Sequence, residues 1–456
     1  MSPLPSKLLK TWSVLARWLL AAVVLVWLLL GLTWGALHWV IVPRIGEFRP
    51  QLEARATQAL GVAVRVGAVA AQSNGMVPSF ELLDVAFLDA QGRVALSLPR
   101  ILIAVSPRSL WRLGVEQIYL DRPILDIRRA PDGKITIGGL DFNPARQADP
   151  AALDWFFSQF EFAIHDGTLR WTDEQREAEP VVMQRVAAVV RNRGRQHDVR
   201  LDATPPESWG SAFRLQGRFL QPLLTGHNGR WRDWEGQMYA AFERADLSEL
   251  RRYVSLGVDL TQGTGALRAW VDVDRGRITQ VVADVALSEV SVVLGADLQP
   301  LAVQRVQGRL GGRQLAGGFE FFTQSLVFDT KDGQHWPGGN ASLRLQQAQD
   351  GQPERGDFQA DRLDLAALAQ IASRLPLDNA VRDKLRVYAP KGQVDALQAS
   401  WQGPWRTPQK YTARGRLSRL ETAAVASTPG LRGLDVDFDF DQQAGQARLA
   451  MAAGSV

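Results

Sequence analysis

The 456-residue chain contains no cysteine. Disulfide frameworks, thiolate metal sites and thiol catalysis are therefore excluded, whatever compartment the protein occupies. Histidine is also scarce: five are present, at positions 38, 165, 197, 227 and 335. No two of them have the spacing of a metal-ligating pair. The chain has no G-x-S-x-G elbow, no phosphate-cradling P-loop and no H-E-x-x-H pair. A net charge of +4 over this length is weak. The high pI arises from arginine outnumbering lysine, not from a basic block, so nucleic acid is not expected as a partner. These absences predict a non-enzyme with no catalytic residue, no metal site and no cofactor.

What is present is a folded chain: 46% hydrophobic and 22% charged residues are ordinary for globular protein. Between Arg17 and Arg44 there is no formal charge, and the segment reads WLLAAVVLVWLLLGLTWGALHWVIVP. That run exceeds the ~20 residues a helix needs to cross a bilayer. Trp12, Trp18, Trp34 and Trp39 sit towards its ends, where indole favours the headgroup region. The run is too long for a signal-peptide core and has no A-x-A-like cleavage site, so it is read as one permanent anchor over residues 18–42. Long domains translocate regardless of flanking charge, which leaves the tail of residues 1–17 cytoplasmic and the bulk on the far side.

After the anchor, PRIGEFRPQLEARATQALG predicts an amphipathic helix broken early by Pro50. The period then changes to two. VAVRVGAV, SFELLDVAFLD, RVALSL, RILIAVS, EQIYLD, ILDIRR and KITIGG read as short strands joined by turns such as APDGK, an antiparallel meander. Further on, four segments predict short helices: AALDWFFSQF, ADLSELRRYVSL, LDLAALAQIASRL and NAVRDKLRVY. Strand runs lie between them, including a hairpin folded about DRGR. Asp246 and Asp364 open similar D-L-x-x-L segments, and the word Q-R-V recurs at 184–186 and 304–306. The shared offset of roughly 120 residues suggests a tandem unit longer than common solenoid repeats. At ~4.8 Å per strand, an open sheet of this size would run on the order of 100 Å. No Pro/Gly/Ser linker marks off separate sandwiches, so a continuous curved sheet is expected.

Near the end, Asp435, Asp437, Asp439 and Asp441 alternate with apolar residues. A calcium loop needs glycine at its sixth position and glutamate at its twelfth. Counting from Asp435, those places hold Phe440 and Gln446; from Asp437, Gln442 and Arg448. The aspartates are therefore read as the solvated face of a strand whose other face carries Leu434, Val436, Phe438 and Phe440. Fifteen tryptophans, with clusters such as Phe319, Phe321 and Phe322, point to an apolar wall that packs against something other than protein.

The segment IVPRIGEFRPQLEARATQALGVAVRVGAV, directly after a single anchor, resembles the start of the AsmA-like proteins of Gram-negative bacteria, most closely their YhdP-like members. ILIAVSPRSLWRLGVEQIYLDRPILDIRRAPDGKITIGGL continues the likeness, with a short S-L-W helix between strands; the specific words cover residues 8–142. The resemblance implies a mainly β fold: a transmembrane helix, then an elongated, curved antiparallel β-groove of chorein-like type. It implies an N-terminal β domain with a lead helix over 43–142 and a repeating groove over 143–456. It also implies anchoring in the inner membrane, projection into the periplasm, and movement of phospholipids towards the outer membrane. A protein partner, outer-membrane or periplasmic, would receive them. By alternation, the residues assigned to the groove wall are Ile101, Ile103, Val105, Phe213, Leu215, Phe219, Phe319, Phe321, Val436 and Phe438. YhdP-like chains are longer, and this one stops at AMAAGSV inside a strand pattern, so a fragment of a longer gene is expected. The alternatives are a factor that assembles outer-membrane proteins by β-strand pairing, or a non-catalytic envelope scaffold.

Overall fold

The computed structural model describes residues 6–36, 39, 46–60, 62–72, 79–88, 92–106, 114–138, 140–142, 150–251, 259–295, 297–349, 351–405, 407–425 and 428–455. The expected S-L-W helix, at 109–111, lies outside the described residues. The fold is mainly β, and the chain divides into two compact units. One comprises residues 1–172, 184–195 and 224–230; the other 173–183, 196–223 and 231–456.

The first unit opens with helix α1 (Ser6–Ala36), of which Val14–Ala36 is long and apolar enough to cross a membrane and buries nothing against protein. The helix starts well before the expected 18–42, because lysine and serine sit comfortably in a helix that has left the apolar run. Helix α2 (Arg49–Leu60) follows. Pro50 does not break it; it occupies the first turn, where its missing N–H is no loss. Strands β1 (Ala63–Gln72), β2 (Ser79–Leu88), β3 (Val94–Ala104) and β4 (Gln117–Asp121) form the expected antiparallel series.

Side chains of α2 cover the outer edge of β1. Glu53 accepts the Val66 amide at 2.8 Å, Thr57 accepts that of Val64 at 3.0 Å, and Arg49 donates to the Gly67 carbonyl at 3.0 Å. Edge groups that would otherwise recruit a foreign strand are thereby engaged. The Val66 N–H, aided by Arg49, holds the Glu53 carboxyl below its ordinary pKa.

RVALSL and RILIAVS, expected as two strands, are the single strand β3, running through Pro99. Proline offers no ladder N–H. Opposite it Asp84 takes φ +51°, and a Cβ on Gly67 beyond would lie 2.9 Å from that of Asp84. The distortion forced by Pro99 is thus passed across three strands. Strands β5 (Ile124–Arg129), β6 (Ile135–Ile137) and β7 (Leu140–Phe142) form hairpins, and helix α3 (Pro150–Ser158) leads into β8 (Glu161–Asp173). Here the expected all-antiparallel meander fails: β8 pairs with β4 in parallel, Gln117 to Glu161 through Asp121 to His165. Strand β9 (Ala178–Arg193) completes the run.

The second unit contains β10 (Gln196–Thr204), β11 (Phe213–Leu220), β12 (Glu235–Asp246), β13 (Asp259–Asp274), β14 (Arg277–Val293), β15 (Leu301–Leu315) and β16 (Gly318–Thr330). They are followed by the two-residue β17 (His335–Trp336), β18 (Ala341–Gln346), β19 (Arg355–Asp364), β20 (Lys391–Gln402), β21 (Lys410–Thr422), β22 (Leu431–Asp441) and β23 (Gly445–Ser455). Each but β17 pairs antiparallel with its successor, and β16 pairs with both β17 and β18. At one end of the sheet tight turns close the β13–β14, β15–β16 and β22–β23 hairpins; Arg275 and Gly276, both at positive φ, make the expected DRGR hairpin.

Among the described residues, the α-helices of this unit lie in connections at the other end: α4 (Leu247–Leu250), α5 (Leu365–Ile371) and α6 (Asn379–Tyr388). The D-L-x-x-L resemblance has a physical basis. Asp246 and Asp364 each end a strand and cap a helix, accepting the Ser248 and Ala367 amides at 2.9 Å.

Bulges recur across this sheet. Glu289, Ser325, Ala396 and Arg419 have φ of 54°, 48°, 51° and 53°, and the ladder shifts beside Arg305. Both Q-R-V words mark such irregularities, since Arg185 also has φ +49°. Bulges bend strands, so together they act as a crease. Side chains hold the unpaired amides. Asn340 accepts from Ser325 at 2.9 Å and is itself held by Asp361, while Asp435 accepts from Arg419 at 2.7 Å. Towards the helix end of the sheet lies a core of Ala245, Leu247, Val285, Leu287, Val290, Leu301, Val303 and Ile371.

Asp435 is therefore more than part of a solvated face. Asp435→Ala should cost about 0.5–1 kcal/mol through the lost hydrogen bond to the exposed Arg419 amide. Hydrogen exchange should show the Arg419 amide opening selectively; unchanged protection there would refute its supporting role.

Candidate functional site: an uncharged sheet face

Beyond the crease, cross-strand pairs place one side chain of each strand in a continuous row. It runs Val199, Gly217, Met238, Val271, Val281 and Gly312. It continues through Phe321, Leu343, Phe358, Ala399, Ala413, Phe440 and Gly445. Thirteen strands contribute, and none supplies a polar side chain to the row. At ~4.8 Å per strand the row extends on the order of 55–60 Å. A parallel row, Leu215–Ala240–Ala269–Ala283–Leu310, crosses beside it.

The opposite face is built from the alternate positions. Asp198, Arg218, Gln237, Asp272, Gln280, Arg313, Glu320, Arg344 and Asp357 follow one another across it. Its charges are paired: Arg218 to Asp198 at 3.1 Å, Arg344 to Glu320 at 3.2 Å, and Arg309 to Asp284 at 2.6 Å. Hydrogen bonds from Arg313, with Arg344 beside it, hold the Glu320 carboxyl below its usual range, and Arg309 does the same for Asp284. Like Glu320, Asp437 faces an arginine, Arg416, at 3.8 Å.

The apolar face is covered at the helix end and bare at the turn end of β16. Phe213 and Val436 are buried, whereas Phe319 and Phe321 are 49% and 46% exposed. Between them and Val281 lies a cleft of about 820 Å³ lined on this face by Ile278, Gly312 and Leu343.

Seven of the residues assigned from sequence, Phe213, Leu215, Phe219, Phe319, Phe321, Val436 and Phe438, lie on this one face. Ile101, Ile103 and Val105 lie elsewhere, in the first unit. Ile101 belongs to a closed core with Val66, Leu82 and Leu120, against which Ile103 packs; Ala56 of α2 and Trp155 of α3 cover that core. Val105 is buried as well. Met238, Ile278, Val281 and Leu343 were not singled out, although the same period-two alternation carries them. Not every aromatic joins the wall. Phe322 faces the polar side, and Trp270 does too, 5.7 Å from the Arg309 guanidinium.

At the edge of this face His197 is fully buried, its ring stacked 3.9 Å from Trp234 with Nε2 3.4 Å from Gln221 Oε1. Burial pushes its pKa below the ordinary histidine value. The unfolded chain takes up the proton near pH 6.5 while the native state resists it, so stability is complete above that pH and declines as pH falls below it. The thermal midpoint of the chain should fall as pH drops from 7.5 to 5.5, and His197→Phe should flatten that dependence; an unaltered pH profile would contradict it.

Over residues 1–456 the sequence matches the family model described as YhdP protein. No curated protein and no solved structure gives a significant match. With a lead helix fit to span a membrane, a mainly β body and a family match along its whole length, the chain belongs to the YhdP family.

Proposed function

We propose that this protein is a non-catalytic lipid conduit, anchored in the inner membrane by α1, with its β units in the periplasm and the bare face of the second unit accepting phospholipid acyl chains. The observation that carries the reading is the uncharged row crossing thirteen strands with aromatic and aliphatic side chains left half exposed. Exposed apolar area on this scale is unstable in water without an occupant. Each methylene withdrawn from water contributes about 0.8 kcal/mol, so acyl chains are retained without any specific bond. No proton or electron transfer is needed: chains slide along an even surface while headgroups remain solvated. Family membership and α1 support the membrane setting. The partner at the far membrane would be a protein that receives lipid from this face.

The test uses the full chain in its own membrane. A photoreactive benzoylphenylalanine replaces Phe321 on the apolar row or, in a second variant, Arg344 on the polar row. Irradiation should yield phospholipid adducts at position 321 and few at 344. Protein-only adducts at 321 would instead favour assembly by strand pairing, and equal lipid labelling at both positions would mean nonspecific membrane contact.

A further inference from the structure

Glycine in a strand interior weakens the strand and usually marks a close approach or an unusual backbone. In the second unit that explanation serves almost throughout. On the apolar face, a Cβ on Gly217 would meet the Phe219 ring at 2.6 Å, one on Gly356 the Trp401 ring at 2.0 Å, and one on Gly415 the Phe438 ring at 3.0 Å. Gly265 and Gly308 have φ of 149° and 151° and press against neighbouring backbone.

Gly312 has neither reason. Its φ is not positive, and a Cβ there would meet a single atom within 4 Å, the Glu320 carbonyl oxygen at 3.8 Å. Its neighbour Gly311, on the polar face, is by contrast covered by the Phe322 ring at 2.1 Å. Nothing in the fold requires position 312 to be bare, yet it forms the floor of the cleft, between Val281 and Phe321 in the row.

From this geometry we infer that Gly312 makes a seat for a single acyl chain of a membrane phospholipid, a place where the moving chain sinks between Val281 and Phe321. The inference rests on the conduit reading and adds a specificity-determining residue to it. The occupant is argued from charge and shape. The lining is mostly aliphatic and aromatic, and its polar side chains include the uncharged Thr279, Gln314 and Gln347, of which Gln314 shares the face of Gly312. The two charged residues at the margin, Arg313 and Glu320, belong to the opposite face and are bonded to each other. No cation on the floor faces a phosphate, so the seat reads the hydrocarbon chain and is indifferent to headgroup charge. A peptide would leave backbone amides unpaired over such a floor, which a hydrocarbon chain does not.

The experiment again uses the full chain in its membrane, with benzoylphenylalanine in place of Leu343, beside the seat, or of Phe440, far along the same row. Gly312→Leu should reduce the phospholipid adduct at 343 roughly tenfold, as expected when about two methylenes of contact are displaced. The adduct at 440 should persist, and the thermal midpoint should hold or rise. Gly312→Ala, the smaller change, should give a partial loss at 343 with the same or higher midpoint. An unchanged adduct at 343 in Gly312→Leu would overturn the seat and leave the conduit intact. A fall in midpoint in both variants would make Gly312 a structural residue and overturn it too. Peptide adducts at 343 would exclude an acyl occupant. Absence of lipid at both 343 and 440 in the otherwise native chain would remove the conduit reading itself.

Discussion

The second unit depends on one constraint, the cross-strand register that keeps apolar side chains opposite apolar side chains from β10 to β23. Side-chain direction in a strand alternates with a period of two, so a slip of one residue at any pairing would move Phe321 or Val281 to the charged side. It would also bring Arg313 and Glu320 onto the apolar face, where their charges would lose both water and each other. Several antiparallel pairings, β10–β11, β14–β15, β15–β16, β16–β18 and β21–β22, are therefore held from both faces: by apolar contact on one and by arginine–carboxylate pairs on the other. Exposed ion pairs of this kind contribute little individually, about 0.2–1 kcal/mol per cross-strand pair, but they penalise every wrong register.

The open half of the face follows from where the chain turns. Tight turns such as Arg275–Gly276 are too short to fold back over the sheet, and the helices α4, α5 and α6 all lie in connections at the opposite end. Leu247 and Ile371 consequently close a core with apolar residues towards that end, Val290, Leu301 and Val303 among them. Several aromatic rings lie over glycines, Phe219 over Gly217 and Trp401 over Gly356, so they widen the apolar surface without standing up across it. Gly312 departs from that pattern, and there the surface deepens into the cleft.

Much of this was legible in the residues. The alternation in LDVDFDFD gave the two faces of β22, the Asp-Leu words gave two capped helices, and D-R-G-R gave its hairpin, because each is a local consequence of side-chain period, capping or turn geometry. Other features were not legible. Pro99 reads locally as a break between strands, yet β3 continues through it because Asp84 and Gly67 on neighbouring strands absorb the distortion. Asp435 looks like any other aspartate of its strand, but its carboxylate supports a bulge sixteen residues away at Arg419. The parallel pairing of β4 with β8 spans forty-four residues and has no local signature.

By itself the sequence determined the apolar anchor helix, the strand-rich body and, strand by strand, which side chains share a face. Those properties depend on neighbours a few residues apart. Only the tertiary structure decided which apolar faces are closed and which remain bare. Ile101 and Phe321 sit in equally alternating strands, but α2 and α3 cover the first, while no described segment of its unit covers the second. Burial depends on what distant parts of the chain place over a surface, and no local pattern of residues carries that information.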